Sequence, residues 1–155
     1  LFRSRFSSES LMIPRLSSSG KEEVIAELAY KMENQGFVMK ADKLVEEALR
    51  REAIASTAVS HGVAFPHVRG VEGGALSLAL GISPKGVRFH GPGNKLTRIV
   101  FFIVIPTAAS AFYLKLLAGL AETLAQADAR KALMAEKTAD GLWKSLMKVT
   151  RQVIR

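Results

Sequence analysis

Apolar residues recur along this chain with two different periods, and the change between them divides it into three stretches. In the first, Val24, Ile25, Leu28, Ala29 and Met32 fall at helical spacing. Ser19 and Glu22 before them have the spacing of a capping box, and Gly36 is a natural stop. A second helix is predicted over residues 42–51, with Leu44, Val45, Ala48 and Leu49 inward. Ahead of both, residues 1–9 read as a serine-rich lead-in, the domain proper starts at residue 10, and Leu11-Met12-Ile13 reads as a short strand.

In the middle stretch the period shortens. Gly62-Val63-Ala64-Phe65 reads as a strand stopped by Pro66. Residues 70–74 read as a turn, 75–82 as a buried strand and 87–89 as a short one. Gly91-Pro92-Gly93-Asn94 reads as a tight turn. Residues 98–105 are β-branched and aromatic without alternation, the pattern of a central strand buried on both faces and closed by Pro106.

The third stretch is helical again. Phe112, Leu116, Leu117, Leu120 and Leu124 mark a helix over 108–126. Asp128 is placed to cap a short helix through Met134, and a last helix starts near Thr138 or Asp140 and runs to the end. Strands in the middle with helices before and after imply one α/β domain, a sheet covered by helices on both faces.

Composition narrows the chemistry. The chain has 155 residues, one domain by length, and no cysteine. Disulfide scaffolds, thiolate metal sites and cysteine nucleophiles are thereby excluded, and the absence of cysteine suits a reducing cytoplasm. The longest apolar run, 99–105, is too short to span a bilayer. The first six residues contain no signal-peptide core. The missing initiator Met leads us to expect a domain cut from a longer chain.

The formal net charge is +8, from 22 Lys and Arg against 14 Asp and Glu. Residues 1–78 are neutral, so the whole excess lies in 79–155. Part of it forms a stripe on the last helix, where Lys137, Lys144, Lys148, Arg151 and Arg155 share one face opposite Leu142, Leu146, Val149 and Val153. A solvated face accounts for the stripe, and contact with an anionic membrane surface or an acidic partner is the functional alternative. Nucleic-acid binding is not expected, because interleaved aromatics and recognition motifs are missing.

Reactive groups concentrate between residues 50 and 69, which hold His61, His67, Arg50, Arg51, Arg69, Ser56, Thr57 and Ser60, with Glu52 as the single acid. Cations and hydroxyls around a neutral imidazole suit a phosphate or a transferred phosphoryl group. A loop histidine with no catalytic task, or a metal pair formed by His61 and His67, fits the same residues. Spacing alone leaves the function open.

The string Arg51-Glu52 … Ser56-Thr57 … Gly62-Val63-Ala64-Phe65-Pro66-His67 resembles the signature of type 2 enzyme IIA domains of the phosphotransferase system, the fructose–mannitol type and its nitrogen-regulatory relatives. The similarity extends over roughly residues 10–150, including Lys21-Glu22-Glu23-Val24 and the run 99–106. The resemblance implies a mixed sheet of about five strands sandwiched between helices. It implies that His67 is the phosphoryl acceptor, Arg51 the site arginine, and Ser56 and Thr57 the hydroxyl pair beside it. The implied donor is a histidine phosphocarrier protein. The implied recipient is a IIB-type domain or, in regulatory members, a target protein. No cofactor or metal is implied. Such domains are often fused to membrane transporters, so a transporter tether is a further expectation.

The chain departs from the pattern in two places. Many members carry a second histidine where Tyr113 stands here, and a glycine where Val68 follows His67. His61 is a candidate substitute for the missing imidazole, Arg69 a second cation, and His90 is expected at the surface. These departures leave open a regulatory binding module of the same fold, with weak or lost phosphotransfer.

Overall fold

The structure is a computed structural model and describes residues 7–151. Its central strand is β6 (Thr97–Pro106), buried at every position from Ile99 to Pro106. Continuous burial means that both faces of this strand are covered. β5 (Ser77–Val87) runs antiparallel along one side of it, with Leu80 opposite Phe101. β1 (Met12–Ile13) adds in parallel to the outer side of β5. The other side of β6 is shared. β3 (Val63–Ala64) pairs with its first half and β4 (His67–Val71) with its second, both parallel. β2 (Ala58–Val59) pairs antiparallel with β3. Among the described residues the sheet is mixed and has six strands, in keeping with the expected mixed sheet of about five; two-residue pairings such as β2 leave no periodic signal.

Two helices precede the sheet's core and three follow it. α1 (Lys21–Asn34) packs on β5 and β6 and against α2 (Ala41–Ile54), which reaches β4. α3 (Ser110–Leu124) and α4 (Ala127–Ala135) pack on β6 and β5, and α5 (Ala139–Thr150) closes over β1. The residues expected inward on α1 are all buried. On α2, Leu44 and Ala48 are buried, with Val45 and Leu49 packed beside them.

Several local expectations are corrected. The cap of α1 is Gly20, not Ser19. Shifting the start by one residue makes Glu23 the third helical position, and its Oε1 occupies the space that a Cβ on Gly20 would take. The acid folded back over the helix start is therefore Glu23, not Glu22. Gln126, not Asp128, precedes α4, and Asp128 sits in its first turn. Thr138 does cap α5, its hydroxyl accepting from Gly141 N at 3.0 Å. The stretch expected as a turn from residue 70 is still strand at Gly70 and Val71, and of the separate strand expected at 87–89 only Val87 is strand, as the last residue of β5. Ser7 is buried, its hydroxyl donating to Leu78 O at 2.6 Å. Arg155 and Val153 of the predicted stripe lie outside the described residues.

One glycine has a steric task. A Cβ on Gly81 would stand 2.6 Å from Leu16 Cδ2, and Leu16 N donates to Ile82 O. The absence of a side chain lets the segment after β1 lie flat on β5.

Candidate functional site

His67 owes its position to a break in pairing. β3 leaves β6 at Ala64, and Pro66, which has no N–H to donate, continues the ladder only through its carbonyl, accepting from Ile103 N at 3.1 Å. β4 then opens at His67, opposite Ile103. Phe65 is anchored beneath, its ring stacked on Phe101 at 5.5 Å. Its carbonyl oxygen lies 2.8 Å from His67 Nδ1. A carbonyl can only accept, so Nδ1 carries the proton and Nε2 is left with the free lone pair.

The imidazole is 8% exposed. Burial holds its pKa below the ordinary 6.5; the Phe65 hydrogen bond opposes this, the Arg51 and Arg69 guanidiniums add to it, and Glu52 acts weakly the other way. The ring is thus kept neutral, the form in which Nε2 is a nucleophile.

Alternation along β4 puts His67 and Arg69 on the same face. That face is covered by Tyr113, in the first turn of α3. Its ring centroid is 6.3 Å from that of His67, and Arg69 Cζ lies 4.7 Å over the same ring. Arg51 comes from the last turn of α2, with Nη1 donating to Ala55 O at 2.9 Å. His67, Arg69 and Tyr113 therefore form one cluster, with Arg51 acting on His67 through its charge.

The other candidates are placed differently. Ser56 donates its hydroxyl proton to Phe89 O at 2.6 Å and accepts from Ala58 N. The Thr57 hydroxyl donates to Glu52, which also accepts from Thr57 N. Both hydroxyl protons are thus committed, that of Ser56 to the segment after β5 and that of Thr57 to the last turn of α2. His61 has φ 72° and is exposed. It lines a small cavity with Ala121, Leu124 and Ala125, at the far end of α3 from Tyr113. Along β6 the His61 neighbour Val63 faces Ile99 while His67 faces Ile103, four residues on and about 13 Å away. His61 is not brought to His67. His90 is exposed in its turn, at φ 57°. Val68 is buried in the ladder opposite Val104, an extended position that suits a β-branched side chain.

Glu52 is the residue that sequence reasoning passed over. It is 6% exposed, paired with Lys21 Nζ at 3.1 Å, and ties residue 57 to the end of α2. Its one signal in the sequence was being the single acid among the cations. Among the described residues, no group of three His, Cys, Asp or Glu is arranged to hold a metal ion.

Comparison with known proteins places this geometry in context. The family described as "Phosphoenolpyruvate-dependent sugar phosphotransferase system, EIIA 2" matches residues 5–149. The PTS system fructose-specific EIIA component of Haloferax volcanii is 28% identical over 125 residues, 81% of this chain and 79% of that protein. A nitrogen regulatory protein of Bradyrhizobium diazoefficiens is 29% identical over 136 residues, covering 87% of this chain and 88% of that one. Among solved structures, the nitrogen regulatory protein IIA-Ntr from Neisseria meningitidis superposes with a TM-score of 0.81 at 23% identity, over 91% of this chain and 96% of that one. Enzyme IIAMTL from Escherichia coli, solved in complex with phosphorylated enzyme IIBMTL, superposes with a TM-score of 0.70 at 18% identity, over 92% of this chain and 95% of that chain.

Proposed function

The chain belongs to the EIIA type 2 family of the phosphoenolpyruvate-dependent sugar phosphotransferase system, and from that premise we propose that it is a phosphoryl carrier whose acceptor atom is Nε2 of His67. The observation that carries the reading is the Nδ1 hydrogen bond to the Phe65 carbonyl, which leaves the lone pair on Nε2 of a ring kept neutral by burial and two guanidiniums.

The proposed donor is a phosphorylated histidine phosphocarrier protein. Nε2 attacks phosphorus as the donor's own P–N bond breaks, and the bonding electron pair returns to the donor's imidazole. Nε2 has no proton to lose, and Nδ1–H stays on the Phe65 carbonyl throughout. Charge on the phosphoryl oxygens is met by the guanidinium groups of Arg51 and Arg69. The recipient is a IIB-type domain or a regulated target protein. The supporting comparison is the IIAMTL complex, in which a related fold meets a phosphorylated IIB. We place the activity in the cytoplasm, a reading supported by the absence, among the described residues, of any single helix long and apolar enough to cross a membrane.

A second reading, a regulatory module of the same fold with little transfer, is favoured by two specific observations. The Ser56 and Thr57 hydroxyls are already committed to Phe89 and Glu52, and Tyr113 offers a phenol where many members have a second imidazole. Intact-mass measurement after incubation with phosphorylated phosphocarrier protein separates the two. The carrier takes one acid-labile phosphoryl group that disappears in His67→Ala; an unlabelled wild type, or equal labelling of the variant, overturns it.

A further inference from the structure

Arg69 faces a difficulty that Arg51 does not. Arg51 is tied down by the Ala55 carbonyl, whereas Arg69 is an exposed side chain on an edge strand. A long solvated arginine spends little time in any one place. What holds its guanidinium is the face of the Tyr113 ring. That ring is itself immobilised, since Tyr113 is 6% exposed while Phe112 and Leu114 on either side face solvent at 37% and 61%. The same ring lies against His67.

We propose that Tyr113 is a positioning residue for phosphoryl transfer: its ring is a platform that holds the Arg69 guanidinium beside His67, where the incoming phosphoryl group is met. The acceptor and its second cation sit two residues apart on β4, and one aromatic ring from α3 touches both. The arrangement puts a guanidinium beside the phosphoryl group. An imidazole in place of the phenol would itself gain and lose charge near neutrality.

This inference rests on the carrier reading for its kinetic arm only. Labelling by phosphorylated phosphocarrier protein is expected to slow about tenfold in Arg69→Gln and in Tyr113→Leu, the scale of removing one charge-assisted hydrogen bond from the transition state. The double variant is expected to be no slower than either single one, because both remove the same interaction. Tyr113→Phe keeps the ring face and is expected within about twofold of wild type.

A second arm needs no phosphocarrier. The His67 imidazole is titrated by NMR in each variant. Arg69→Gln raises the midpoint by removing a cation, and Tyr113→Leu raises it in wild type but adds nothing further in the Arg69→Gln background. A ring that acted only by burying His67 would add its full shift in both backgrounds. Additive losses of rate, additive shifts of the midpoint, or a Tyr113→Phe variant as slow as Tyr113→Leu overturn the proposal. If the wild type takes no label, the carrier reading fails, while the titration still decides whether Tyr113 places Arg69.

Discussion

At His67, burial and two guanidiniums push in one direction, and the sign of the pH dependence follows. Its folded-state pKa lies below the ordinary 6.5, so between 6.5 and the lower folded value the unfolded chain binds the proton first. Stability is therefore flat above that window, falls as pH drops through it, and levels off below the folded pKa as far as this group is concerned. NMR titration is expected to place the His67 midpoint under 6.5, and Arg51→Gln to raise it. A midpoint at or above 6.5 would contradict the described burial and charges. Much of this residue was legible before the fold was known, because an imidazole after a strand and a proline, among cations, already suggests phosphate chemistry. The Phe65 carbonyl that selects the tautomer was not, since a backbone atom leaves no mark in the order of side chains. Nor was the commitment of the Ser56 and Thr57 hydroxyls, whose partners Phe89 and Glu52 depend on how the loop folds.

The elements themselves are legible in the sequence where a period repeats and not where a single residue decides. α1, α2, α3 and β6 each carry several turns or pleats of consistent burial, so their existence follows from spacing. Their ends do not, because neighbours supply the caps. Ala41 N at the start of α2 donates to Glu33 Oε2 of α1 at 3.0 Å, while Lys40, the residue at the cap position, is left-handed at φ 56°. Thr138 is the case where the local signal suffices. Thr138→Ala is expected to cost about 1 kcal/mol in urea unfolding with the slope unchanged. Gly81→Ala is expected to destabilise by about 1–3 kcal/mol, because Leu16 must move off β5. A Gly81→Ala protein as stable as wild type would mean that Leu16 yields without loss.

Over the whole molecule, the charge excess of the second half becomes a surface rather than a site. The apolar face of α5, Leu142 and Leu146 with Thr150, is spent on the core, and Lys144 is paired with Asp140 at 3.0 Å. A helix so used has no apolar face left to embed in a bilayer. Any sedimentation with anionic vesicles is therefore expected to vanish at high salt and to leave Trp143 emission unchanged. Salt-resistant binding with a blue-shifted Trp143 would show that α5 leaves the core. The fold also decides which candidate residues meet. Composition and spacing by themselves determined the α/β class, the central buried strand and the location of the excess charge, because each is written in local periodicity or residue type, while the residues around His67 point to the family through resemblance alone. Only the tertiary structure decided that Tyr113 and Arg69 join His67 while His61 falls at the other end of β6. That outcome depends on strand register and helix placement, which packing on both faces of β6 sets and which no local spacing encodes.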